Sequence, residues 1–155
     1  MKLEKWFLQE RYWLQSHRKM RIISGTFRGK KILEPKDSKT RPLKDLTKES
    51  IFNLIIHSNK FKVDLKNSYI LDLFSGVGSF GLECLSRGVK KITFVENYDG
   101  VLPILKRNLA NLKSVTNYEI LKKNIYEKNI FLNFKYQIDL IFIDPPYKDK
   151  KLNQI

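Results

Sequence analysis

The sequence predicts an α/β protein with a mostly parallel sheet and helices on both faces. Three observations point there. A strand, a glycine-rich loop, a helix and a second strand follow one another between Tyr69 and Glu96. Two further short segments, near 117–121 and the apolar run 138–143, read as strands. The last of them closes abruptly on Asp144-Pro145-Pro146-Tyr147.

The first unit justifies itself residue by residue. Tyr69 to Phe74 is short, apolar and β-prone, so it reads as a buried strand. Ser75 to Ser79 is a tight loop, Phe80 to Ser86 a helix, and Gly88 a helix stop. Lys91 to Glu96 is the next strand and ends on an acid, 20 positions after Gly76. Glycine lets the backbone approach a ligand closely, and an acid at the neighbouring strand tip can hold both hydroxyls of a ribose. A nucleoside cofactor is therefore expected. Gly76, Gly78 and Gly81 spell G-x-G-x-x-G, which taken alone favours NAD and an oxidoreductase. Asp72, just before the loop, suits a cationic ligand better than a pyrophosphate. S-adenosylmethionine carries a sulfonium, an ammonium and an adenosine but no phosphate.

The run Ile138 to Ile143 is also strand-like, and two prolines cannot continue a sheet ladder. The chain must turn at the strand's carboxyl end, where open α/β sheets keep their ligands. There the Asp144 carboxylate and the Pro145 carbonyl can accept both hydrogens of an amino group, and Tyr147 offers a ring face for a base. The corner suits an exocyclic or amide nitrogen awaiting alkylation and has no part in hydride transfer. A methyl donor fits both ends of the unit; NAD fits one.

Taken together, these segments resemble the bacterial methyltransferases that modify the exocyclic N2 amine of a guanine in 16S ribosomal RNA. The resemblance runs from Met20 to about Tyr147. It includes Arg21-Ile22-Ile23-Ser24-Gly25-Thr26-Phe27-Arg28-Gly29-Lys30-Lys31, Thr40-Arg41-Pro42, and Lys48-Glu49-Ser50-Ile51-Phe52-Asn53. It continues through Asp72 to Gly78, Gly81-Leu82-Glu83, Leu85 to Gly88, Glu96 and Asn108-Leu109 to the Asp-Pro-Pro-Tyr corner. The resemblance implies a Rossmann-like S-adenosylmethionine-dependent methyltransferase fold. It also implies that Asp72 and the loop of Ser75, Gly76 and Gly78 hold the methionine end of the donor. Glu96 would take the ribose, and Asn124 and Ile125 would contact the adenine. Asp144 and the Pro145 carbonyl would accept from the guanine amine while Tyr147 stacks on the base. One departure is Tyr98, where the family often has Asp. The implied reaction is direct in-line methyl transfer, with most of the gain from orientation and electrostatics.

Composition fits an RNA partner, and the resemblance implies 16S ribosomal RNA or a small-subunit assembly particle. The net charge is +14, and residues 1–48 alone hold 14 Lys and Arg against 5 acids. Basic charge thus gathers in the N-terminal third, where a phosphate-binding arm would be useful. The excess of 23 lysines over 7 arginines also fits an AT-rich genome, so composition alone does not identify the partner. Arg28, Lys30, Lys31, Arg41 and Lys44 are the candidate RNA contacts.

The remaining signals are plainer. Cys84 reads as core, and one cysteine suits a reducing, cytoplasmic setting. His17 and His57 are isolated, so no metal site is expected. Phe52, Leu54, Ile55 and Ile56 read as helix packing. No run reaches membrane-spanning length and no secretory signal is evident. Residues 1–19, with Trp6 and Trp13, lie outside the resemblance and read as upstream sequence or a lineage-specific helix. Residues 20–48 form the basic segment and 49–155 the methyltransferase domain, which looks incomplete. Four strands stand where the fold normally has seven, so the strand ending at Ile143 is expected as an open apolar edge, prone to self-association. Two other functions stay in view: an NAD-binding oxidoreductase, and a non-catalytic RNA-binding remnant.

Overall fold

Four parallel strands form the centre of the molecule, in a computed structural model that describes residues 20–35, 43–127, 131, 134–146, 149 and 151. They are β1 (Tyr69–Leu73), β2 (Lys91–Val95), β3 (Tyr118–Leu121) and β4 (Leu140–Ile143), in the order β3-β2-β1-β4. The helices are α1 (Asp45–His57), α2 (Ser79–Ser86) and α3 (Leu102–Ala110), with a short 3-10 turn at Leu65–Asn67. Every strand expected from the sequence is present, each within a residue or two of its expected bounds. Helix α2 begins one residue earlier than expected, at Ser79.

The register aligns the strand ends. Leu73 lies beside both Val95 and Ile143, and Val95 beside Leu121. Strand order reverses direction between β1 and β4, and at that switch point an open α/β sheet forms a ligand crevice. The chain leaves β1 through Phe74, whose φ of +58° is unusual for a bulky residue.

The main core lies on one face. Ile70, Ile92 and Phe94 of the sheet pack under Leu82, Cys84 and Leu85 of α2, Leu105 and Leu109 of α3, and Phe52 and Ile55 of α1. All eight residues of α2 are buried, because the helix is enclosed by the sheet on one side and other segments on the other. Gly81 permits that closeness: a Cβ there would lie 2.1 Å from Phe94 Cε1. Phe80 stacks on Phe52 at 5.2 Å and on Phe142 at 3.9 Å, joining α1, α2 and β4. On α1 the expectation for four packing residues holds for two. Leu54 and Ile56 are 59% and 46% exposed. About 100° of helical rotation per residue carries them away from the stripe of Lys48, Phe52 and Ile55.

The opposite face carries a smaller cluster of Leu71, Leu73, Val95 and Ile125, with Phe74, Leu121, Phe134 and Ile138 against it. Among the described residues no helix packs there; Ile125, Phe134 and Ile138, which lie between β3 and β4, pack against it. β4 forms the sheet edge, with Ile141 and Ile143 46% and 43% exposed.

Residues 20–33 make a hairpin-like arm. Ile22 N–H donates to Lys30 O and Ile32 N–H to Met20 O, at 2.9 and 2.8 Å. Met20, Ile22 and Ile32 enter the core. The buried Glu83 of α2 accepts from Ile23 and Ser24 N–H at 2.8 and 2.9 Å. Gly25 approaches α2 so closely that a Cβ would lie 1.9 Å from Ser86 O. Cys84 is fully buried, and burial pushes its thiol pKa well up.

Candidate active site at the strand ends

The parallel strands deliver Asp72, Glu96, Asn124 and Asp144 to one end of the sheet. Asp72 lies one residue before the end of β1, almost wholly buried. Its Oδ2 accepts from Gly81 N–H at 3.2 Å, in the first turn of α2, where a carboxylate complements the helix dipole. Burial raises its pKa well above the usual carboxyl range; the Gly81 bond opposes this, while the charges of Asp144 and Glu96 add to it. No lysine or arginine pairs with Asp72 among the described residues.

The loop from β1 to α2 is held from inside. Ser75 N–H donates to Val95 O at 3.1 Å, and Gly78 N–H to Ser75 O at 2.8 Å. Left-handed φ values at Phe74, Gly76 and Gly78 coil the backbone tightly between strand and helix. Glu96, just past β2, accepts from Gly76 N–H through Oε2 at 2.8 Å. Its Oε1 accepts from Asn97 and Tyr98 N–H at 2.9 and 2.8 Å. Of about four acceptor positions on a carboxylate, one is left for a ligand. Asn108 of α3 completes the frame, its Nδ2 donating to Val77 O at 3.0 Å.

After β3, Asn124 is exposed and its Oδ1 accepts from Tyr126 N–H at 3.1 Å. Ile125 points the other way, into the small core with Leu71, Leu73 and Val95. Asp144 is exposed and Pro145 half-buried, directly after β4. Tyr147 lies outside the described residues, as does Arg41. Sequence reasoning missed one contact of this region: Tyr126 Oη donates to Asp149 Oδ2 at 2.7 Å, joining the loop after β3 to the segment beyond the proline corner. No motif announces a pair of that kind.

The candidate RNA contacts divide in space. Arg28, Lys30 and Lys31 are exposed on the arm, whose Thr26 N–H donates to Ser86 O at the end of α2. Lys44 is exposed at the opposite end of α2, where Ser79 Oγ donates to the carbonyl of its neighbour Leu43 at 3.4 Å. Among the described residues no group of three or more His, Cys, Asp or Glu could hold a metal ion. No described helix is long and apolar enough to cross a membrane.

A parallel sheet ordered 3-2-1-4, a glycine loop running into a buried helix, and acids on successive strand tips define a Rossmann-like methyltransferase fold. The family model described as Conserved hypothetical protein 95 matches residues 20–155, and the chain belongs to that family, the one that includes ribosomal RNA small subunit methyltransferase D. The Haemophilus influenzae protein of that name is 35% identical over 83% of this chain and 64% of its own length. Bacillus subtilis YlbH is 35% identical over 88% of this chain and 71% of its own. The solved Escherichia coli yhhF structure superposes with a TM-score of 0.69 at 32% identity, covering 88% of this chain and 69% of that one. The chain thus spans about two thirds of the length of these relatives.

Proposed function

We propose that the protein transfers a methyl group from S-adenosylmethionine to the exocyclic N2 amine of a guanine in 16S ribosomal RNA. The observation that carries the reading is electrostatic. In a chain of net charge +14, the crevice gathers Asp72, Glu96 and Asp144 closely enough that the charges of Asp144 and Glu96 raise the Asp72 pKa, and neither Asp72 nor Glu96 forms an ion pair among the described residues. That environment favours a sulfonium and an ammonium and opposes a pyrophosphate, so it favours the methyl donor over NAD. The relatives named as ribosomal RNA methyltransferases support the nucleic-acid substrate. Ribosomal RNA as substrate would put the reaction in the cytoplasm.

Asp72 and the loop through Gly78 would face the methionine end, with Glu96 at the ribose and Asn124 and Ile125 at the adenine, Ile125 through its backbone because its side chain faces the small core. The bound donor supplies an electrophilic methyl group. A guanine amine is a weak nucleophile, because its lone pair is delocalised into the ring. Asp144 and the Pro145 carbonyl would accept its two hydrogens and hold the nitrogen in line with the methyl–sulfur bond. Asp144 or water would take the proton that becomes acidic once the nitrogen carries the methyl group. Tyr147 would receive the base once it leaves its stack.

The test is transfer of labelled methyl from S-adenosylmethionine to transcribed 16S ribosomal RNA, followed by nucleoside analysis. Label in N2-methylguanosine, lost in Asp144→Ala while S-adenosylhomocysteine affinity stays within about threefold, is the expected result. Label on adenine would overturn the guanine assignment. Salt-sensitive RNA binding without transfer would favour a non-catalytic RNA-binding protein.

A further inference from the structure

The arm lies along α3, and two contacts fix the alignment. Leu33 N–H donates to Asn108 Oδ1 at 2.8 Å, and Asn108 Nδ2 returns a bond to Leu33 O at 3.1 Å. Three residues earlier, Lys30 Nζ donates to Asn111 O at 2.8 Å. Arm residues 30–33 therefore run beside the last turn of α3. That helix buries Leu102, Leu105, Asn108 and Leu109. Its opposite face exposes Lys106 and Arg107, and Lys113 is exposed just beyond the helix end.

The charge on the joined surface is predominantly positive; the acid beside it is Glu34, exposed next to Leu33, whose Oε1 accepts from Met20 N–H at 3.1 Å. Residues 20–33 hold Arg21, Arg28, Lys30 and Lys31 and no acid; residues 102–115 hold Lys106, Arg107 and Lys113 and no acid. Arg21 pairs with Asp45 at 3.4 Å. None of the other six pairs with a carboxylate among the described residues.

We infer that the arm and the C-terminal half of α3 form one phosphate-binding surface, and that Lys106, Arg107 and Lys113 contact RNA. The inference rests on the reading of RNA as substrate and adds to it a second element, far in sequence from the basic N-terminal third. Cations at a helix C-terminus also complement its dipole, but that role changes stability and leaves RNA affinity alone. Phosphate contacts on a flank set the position of the nucleic acid, while the target base is handled elsewhere. Asn108, which bonds both Leu33 and Val77, places this flank against the glycine loop.

The experiment compares the full chain with Lys106→Gln/Arg107→Gln/Lys113→Gln for binding to transcribed 16S ribosomal RNA between about 50 and 200 mM salt. A second variant, Lys60→Gln/Lys62→Gln/Lys66→Gln, removes the same charge from an exposed loop elsewhere. The α3 variant is expected to bind about tenfold or more weakly, with a salt slope lower by about 2 to 3. Its S-adenosylhomocysteine affinity should match the unaltered chain, its melting midpoint should fall by no more than the few degrees that lost helix-dipole interactions cost, and the control should keep most RNA affinity. Equal loss in both variants would reduce the effect to net charge and overturn the surface. Unchanged binding in the α3 variant would overturn it directly. If the unaltered chain shows no salt-dependent RNA binding, the RNA reading itself fails, and the surface falls with it.

Discussion

Glu96 Oε2 accepts the Gly76 N–H at 2.8 Å, tying the tip of β2 to the first glycine of the loop after β1. The acid expected at a ribose is therefore also part of the loop's own frame. Among the described residues three backbone N–H groups point at it, which leaves about one acceptor position for a ligand.

Removing that carboxylate should act twice. Glu96→Ala leaves the Gly76 N–H buried without a partner, which costs about 1–3 kcal/mol. Urea unfolding should register that loss, and S-adenosylhomocysteine should bind at least about tenfold more weakly. Unchanged stability would mean that the loop does not depend on Glu96.

Asp72 should trade stability for ligand binding. Burial raises its folded-state pKa above the unfolded value, so the folded state prefers the neutral acid. The favourable difference is fully present below the unfolded pKa and is lost as pH rises through the raised folded value. Asp72→Asn keeps a neutral acceptor for Gly81 and should therefore gain stability over the unaltered chain as pH rises from about 4 toward neutrality. The same variant should lose attraction for the α-ammonium group that S-adenosylmethionine and S-adenosylhomocysteine share. Melting midpoints across that range, with and without S-adenosylhomocysteine, check both. A variant less stable at neutral pH would contradict the buried-acid account.

Gly81 answers to packing. In Gly81→Ala the new methyl meets the Phe94 ring and Ile92 Cδ1 at 2.1 and 2.9 Å, so α2 must move off β2. Overpacking of this kind costs about 1–3 kcal/mol. Because α2 begins at the glycine loop, donor affinity should fall along with the urea midpoint. A fully stable variant with normal affinity would show that the helix has room to shift.

Much of this was legible before any coordinates. Strands β1, β2 and β4 announce themselves because each is a short, largely apolar run ended by a glycine loop, an acid or a proline corner, and parallel pairing then brings their last residues together. The clamps between α2, α3 and the arm were not legible. A glutamate on a helix ordinarily reads as solvated, yet Glu83 is fully buried because it accepts two N–H groups about 60 positions away. Asn108 is similar, joining Leu33 and Val77 in a way that local pattern cannot register. Leu54 and Ile56 erred in the other direction, since apolar identity alone did not say which side of α1 would face the core.

The central claim is that an acidic crevice at the strand ends holds the ammonium and adenosine of the methyl donor and rejects the pyrophosphate of a dinucleotide. Thermal melting of the full chain tests it most directly, alone, with S-adenosylhomocysteine and with NAD, because a ligand of the folded state raises the midpoint. A cooperative transition raised by S-adenosylhomocysteine and unmoved by NAD is the predicted result. A rise with NAD, or none with S-adenosylhomocysteine, would contradict it.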